Sequence, residues 1–338
     1  MHLARVALAV LSTTLALGCG GADPAGDADA AVDAPPAFLA PPPAGAGLQV
    51  TLPSFTVAPG EEVYWCVTMP FPAGGQVDVA RIESRFNLGA HHMLLSTIDG
   101  NHAAGNGRCG AGDFGYGVGL VQAFTGNLRF LSGAQTPYST DPRADLVLDP
   151  GMAFRFRPGT TLLAQLHWAN TTEAPIDAAT AINFWYATAA PTRLLEALFF
   201  YHQGFRIPPR ASVEVAGRCT FPRDVEIIGM VSHMHARGTL LTARRWSGAL
   251  GETVYQEASW QEPQMKMWPG TAPLTVAAGA GLEYRCAFTN DGDTPIVEGE
   301  GAGDEMCMLI GLYAGGDRTV FGFPGASGVP QNPCVAVP

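Results

Sequence analysis

Lysine is nearly absent from this 338-residue sequence, and Lys and Arg nowhere form a run; 19 basic residues against 30 acidic ones leave a formal net charge of −11. Binding phosphate needs a basic stripe, so nucleic acid is excluded as a partner. Part of the acidity sits near the N-terminus in Asp23, Asp27, Asp29 and Asp33, and says little about any site. Sustained helical periodicity is also missing, with "TRLLEALFF" from Thr192 the one stretch that approaches it. Long apolar runs are lacking too. The stretch from Val6 to Leu17 is too short to span a bilayer and reads as the core of a signal peptide over residues 1–18.

Gly18 followed by Cys19 resembles a bacterial lipobox, with Leu15 one position earlier than such boxes place it. The expectation is a chain exported and anchored through a lipid on Cys19, facing the periplasm or cell surface. Residues 19–47 mix Pro, Ala, Gly and Asp and cannot bury enough apolar surface to fold, so they read as a tether. Beyond it come short apolar or alternating runs such as "EEVYWCVTM", "HHMLLSTI", "TLLAQLHWA", "VEIIGMVSHMH" and "MCMLIGLYAG", set between Gly, Pro, Asn and Asp. The expected fold is all-β, two antiparallel β-sandwiches or jelly rolls over 48–192 and 193–338.

Seven cysteines are present. With Cys19 acylated, six remain, an even number suited to disulfides outside the cytoplasm. Pairing within halves joins Cys66 to Cys109 and leaves three arrangements of Cys219, Cys286, Cys307 and Cys334.

Of the eight histidines, five stand in suggestive contexts. In a strand, residues two apart share a face with Cα atoms roughly 6.5–7 Å apart, so His233 and His235 form half a metal site. Met306, directly before Cys307, offers a third ligand. Two imidazoles and a thioether, with no thiolate, favour copper. In the first half, "GAHHMLLSTID" carries His91 and His92 and "LLAQLHWANTT" carries His167. Adjacent strand residues point to opposite faces, so His91 and His92 can share an ion only at a strand end or bulge. Alone, this set could equally be a three-histidine zinc site or structural. His102 and His202 read as structural or surface residues; Met265 and Met267, which share a strand face, could contact copper transiently but read first as core or edge packing.

Taken in order, "HHMLL", "QLHW", "HMHARGT" and "DEMCMLIGLY" resemble the copper motifs of the ascorbate-dependent type II copper monooxygenases, which include the peptidylglycine- and dopamine-hydroxylating enzymes. "VYWC", "RCTFP", "QEPQ" and "YRCAFTN" extend the resemblance over about residues 55 to 335. It implies two jelly-roll-like sandwiches whose coppers face one another across a water-filled cleft. An electron-storage copper would sit on His91, His92 and His167, and the copper where O₂ and substrate meet on His233, His235 and Met306. Gln165 and Tyr64 match positions near the first copper. The implied disulfides are Cys66 with Cys109, Cys219 with Cys334 and Cys286 with Cys307.

The implied activity is hydroxylation of an aliphatic C–H bond with O₂ and an external reductant such as ascorbate. Where the peptide-hydroxylating branch holds its substrate carboxylate with Arg and Tyr, this chain has Val231 and Ile310. With Leu309 beside them, they point to a small uncharged or amphipathic substrate, since a carboxylate buried without partners is costly. The same ligands would serve a non-catalytic copper lipoprotein that stores, senses or delivers metal.

Overall fold

The structure is a computed structural model, and it describes residues 38–110, 112–119, 128–136, 139–329 and 331–338. The expected signal peptide, Cys19 and most of the expected tether lie outside the described residues. Among the described residues there are strands and no helices, and no helix is long and apolar enough to cross a membrane. The all-β expectation holds.

The first half contributes a five-stranded sheet in the order Gly105–Arg108, Glu62–Pro70, Thr161–Ala169, Ala90–Ile98, Leu128–Gln135. Its central strand Thr161–Ala169 is buried along almost its whole length, which is why "TLLAQLHWA" carries apolar residues on both faces, with Gln165 and His167 among its buried polar members. Val67, Leu95 and Leu166 from this sheet share one core with Ile82, Phe154 and Phe184 from strands of a second sheet, so the two are stacked. The second half repeats the arrangement. Its five-stranded sheet runs Leu250–Glu257, Gly238–Trp246, Gly281–Asn290, Ala211–Thr220, Cys334–Val337. Leu241, Leu282 and Tyr284 from that sheet pack against Phe200, Ile227 and Leu309.

The facing sheets of the two halves are one. An eleven-stranded sheet passes through Gly47–Thr51, Thr180–Tyr186, Val77–Phe86, Met152–Phe156, Arg193–His202, Cys307–Ala314 and Val225–His233 to Lys266–Met267. Its seam is a short parallel pairing of Met152 with Arg193 and Ala153 with Leu194. The stretch with helix-like spacing, "TRLLEALFF", is therefore a strand. Leu198 and Phe200 face the second core, while Ala197, Phe199 and Tyr201 face a third apolar cluster with Phe114, Phe130, Met306 and Met308. A strand buried on both faces loses its alternation, and sequence periodicity then cannot tell it from a helix. Residues 38–46, the end of the Pro-rich segment, lie against this sheet, where Leu39 and Ala40 carbonyls accept from Gln49 Nε2 and Asn183 Nδ2, each at 2.8 Å.

Three disulfides join Cys66 to Cys109, Cys219 to Cys334 and Cys286 to Cys307, across separations of 43, 115 and 21 residues. This is the pairing implied by the resemblance. In a chain-entropy account each is worth roughly 3–5 kcal/mol. The third staples the two stacked sheets of the second half together immediately beside Met306.

Candidate metal centre

His91, His92 and His167 come together. His167 lies opposite His92 in the pairing of Thr161–Ala169 with Ala90–Ile98, and the register then slips so that Trp168 faces Ala90. The residue left over is His91. That bulge turns two consecutive imidazoles toward one point, as two residues opposing one on the partner strand allow. Ring nitrogens of the three lie within 4.8 Å of one another. The Nδ1 of His92 is 3.4 Å from Nδ1 of His91 and 3.2 Å from Nδ1 of His167. An ion bound tetrahedrally by imidazoles at about 2.0–2.1 Å would hold its nitrogens roughly 3.3 Å apart, so these side chains fit a metal.

His233 ends the strand Val225–His233, and His235 lies just past it with Met234 between them turned into the second core. The two rings are 5.2 Å apart. His233 Nδ1 donates to Gln135 Oε1 at 2.6 Å, and His235 Nδ1 donates to the Asp304 carbonyl at 3.0 Å. Both rings are thus oriented with Nε2 left over, and His235 Nε2 is buried without a hydrogen-bond partner. An orphaned buried nitrogen is costly, and a metal ion would satisfy it. Met306 directly precedes the strand Cys307–Ala314, which pairs with Val225–His233, and lines the same cavity as His233.

The two sets abut. His91 and His235 meet edge to face with centroids 5.9 Å apart, as do His92 and His233. The open cleft implied by the resemblance is absent between these rings, because the shared sheet and the third apolar cluster hold the halves together. Burial is the leading cause that lowers the pKa of His91 to about 3 and pushes His92, His233 and His235 down. At neutral pH these four imidazoles are uncharged and need shed no proton to bind a cation.

Tyr64 stacks on His167 at 4.3 Å between centroids, and its hydroxyl donates to the Glu300 carbonyl. Gln165 is buried beside it, with Nε2 donating to the Asp113 carbonyl at 2.6 Å. Three supporting residues escaped the sequence reading. Glu62 accepts from His167 Nε2 at 2.7 Å and from the Ala302 amide at 2.8 Å. The His167 bond is the main reason its carboxyl is held down at about 2. Such a carboxylate fixes the ring so that Nδ1 faces the ion. Gln135 does the same for His233. Glu305, fully buried, accepts from the amides of His235 at 3.0 Å and Arg237 at 2.6 Å and pins the "HMHAR" turn. Glu62 is two residues before Tyr64, a spacing that shares its face, whereas nothing in sequence ties Gln135 to a histidine 98 positions away. His102 and His202 stand outside both sets. His102 Nε2 donates to the Asp99 carbonyl at 3.3 Å, and His202 packs on Phe205.

A cavity of about 560 Å³ opens beside the second set, lined by His233, Met306, Val231, Ile310, Phe199 and Glu300 among others. Leu309 is corrected. It pairs with Phe200 and Ser232 and points away from the cavity into the second core, because neighbours along a strand face opposite ways. Glu300 sits at the cavity wall, and burial, with Glu298 nearby, raises its pKa from 4.5 to about 8. Between those values the folded chain keeps a proton that the unfolded chain has released, so this group makes stability fall as pH rises through that window. Glu300→Gln in the metal-free protein is expected to flatten that fall. Urea midpoints compared at about pH 5 and about pH 9 check it, and parallel slopes for both proteins would contradict it.

Fold and site together define an all-β protein with a buried histidine cluster able to hold metal. Residues 192–320 match the model of the family described as copper type II ascorbate-dependent monooxygenase, C-terminal domain. No curated protein matches the chain. Among solved structures, the chain is similar to the major capsid protein P2 from Bacteriophage PM2, at 11% identity over 80% of this chain and 99% of that one, with a TM-score of 0.37. It is also similar to the STIV MCP, at 9% identity over 80% and 96%, with a TM-score of 0.34.

Proposed function

We propose that the chain is a copper-dependent monooxygenase that hydroxylates an aliphatic C–H bond of a small uncharged or amphipathic molecule, using O₂ and an external reductant such as ascorbate. The observation that carries the reading is the orphaned Nε2 of His235, facing out of a set oriented by Gln135 and Asp304 beside an apolar-walled cavity. The family match over 192–320 supports it. His91, His92 and His167 would hold one copper, and His233, His235 and Met306 the other, in halves spanning 48–192 and 193–338.

Hydroxylation coupled to reduction of O₂ takes four electrons, two from the C–H bond and two from the reductant. Copper, when bound, supplies one-electron storage at each set and activation of O₂ at the second. The chain's own residues do the rest. Glu62, Gln135 and the Asp304 carbonyl set which nitrogen each imidazole presents. Val231, Ile310 and Phe199 give the substrate an apolar wall. The apolar Val6–Leu17 run before Cys19 and the three disulfides, which belong to oxidising compartments, support an exported lipoprotein attached to the membrane through Cys19.

Titration with Cu(II) should find two copper ions per chain, one at each histidine set. Met306→Ala should keep Cu(II) at both sets while weakening Cu(I) at the second, because the thioether prefers the softer ion. Oxygen uptake by the copper-loaded protein across a panel of small metabolites should then show coupling to a product. One copper per chain, or loss of both in Met306→Ala, would refute the two-set assignment. Two coppers with no coupled uptake by any compound would favour a copper carrier instead.

A further inference from the structure

Met265 and Met267 remain outside the sites assigned so far. We propose that they form a third, solvent-facing site for a soft monovalent ion, Cu(I), at the outer end of the cavity, from which the ion passes inward to His233, His235 and Met306. The destination rests on the function proposed above; the outer site does not.

The two side chains are arranged around one point. Met267 pairs with Gly229, on the strand that ends at His233. A Cβ added to Gly229 would lie 2.8 Å from the Met267 sulfur and 3.5 Å from the Met265 sulfur. Both sulfurs therefore converge over a glycine whose missing side chain leaves them room. Each methionine is 36% exposed, so neither is core filler, in contrast to Met306 at 5% and Met308 at 2%. Three rotatable bonds let a thioether close on an ion at little cost.

The surroundings favour a soft ion. Lys266, between them, faces the other way, as strand alternation requires; its ammonium donates to the Val254 carbonyl at 2.7 Å and lies 4.8 Å over Trp268. Its charge does not oppose a cation on the sulfur side. A donor pair of thioethers selects Cu(I) over hard or borderline divalent ions.

A path leads inward from this pair. Gly229, Val231 and His233 share one face of their strand, and Leu312, Ile310 and Met308 stand opposite them on the next. Met265, Val231, Ile310, Met308, Met306 and His233 all line the cavity. Thioethers thus mark both ends of a run of five residues, Gly229 to His233, roughly 13 Å long.

The test uses full-length protein labelled with ¹³C at the methionine methyls and titrated anaerobically with Ag(I), a redox-inert surrogate for Cu(I). The methyls of Met265 and Met267 should shift together. The double variant Met265→Leu/Met267→Leu, nearly volume-conserving, should take up one fewer equivalent of Ag(I). It should also load Cu(I) from a chromophoric chelate several-fold more slowly, with Cu(II) loading unchanged. Unshifted Met265 and Met267 methyls in excess Ag(I), or unchanged uptake or unchanged Cu(I) loading in the double variant, would overturn the proposal. Shifts at Met265 and Met267 with none at Met306 would uphold the outer site and count against copper at the inner set.

Discussion

On the proposed function, replacing His167 with alanine is expected to remove copper from the first histidine set and abolish steady-state turnover while copper still binds at His233 and His235. The imidazole is fully buried and supplies the nitrogen 3.2 Å from His92 Nδ1. Its removal also takes from Glu62 one of its two donors, leaving the Ala302 amide, and empties the space beneath the Tyr64 ring. Losing a partner behind a metal ligand typically costs 10–100-fold in affinity, so losing the ligand itself should cost more than about a hundredfold. Copper stoichiometry by Cu(II) titration, read with oxygen consumption, checks both halves of the statement. A variant that still binds two Cu(II) ions with native affinity would remove His167 from the site.

The second large effect concerns stability. Arg129 and Glu196 are 7% and 5% exposed and pair through two hydrogen bonds, one of 3.0 Å between Nε and Oε2. Arg129 also donates to the Arg155 carbonyl at 2.7 Å. Burial raises the Glu196 pKa even with the guanidinium beside it, which marks the pair as costly to desolvate. Glu196→Ala leaves a buried guanidinium uncompensated and should cost about 3–5 kcal/mol, a large share of the roughly 5–15 kcal/mol available to a typical fold. Arg129→Met combined with Glu196→Leu should recover most of it, since replacing a whole buried pair with apolar groups is often neutral. Chemical denaturation of the single and double variants separates these outcomes; equal losses in both would mean that the position, not the charge balance, matters.

Much of this was readable in the chain. Turn residues between short apolar runs announced strands, and the adjacency of His91 and His92 called for a strand end or a bulge, of which the structure has the bulge. "TRLLEALFF" misled for a physical reason: with apolar clusters on both faces it has no polar side to mark its period. Leu309 was placed in the cavity through its neighbours Val231 and Ile310, although alternation turns it away from Ile310. Glu62 carried a spacing signal, two residues before Tyr64, but Gln135 carried none, since it meets His233 side chain to side chain from a strand that does not pair with that of His233. The join near residue 192 has the composition of a loop, and nothing in it announces that the strand after it will pair with Met152–Phe156.

That pairing sets the character of the molecule. Two sandwiches joined by a flexible hinge could rock, and an electron passing between them would wait for a collision. Here the backbone itself is stitched through the seam of Met152 with Arg193 and Ala153 with Leu194, and the imidazoles of the two sets already touch. On the proposed reading the molecule behaves as a wire instead of a gate. Transfer between the sets is governed by tunnelling distance and reorganisation of the ligands, and the viscosity of the surrounding solvent has no part in it.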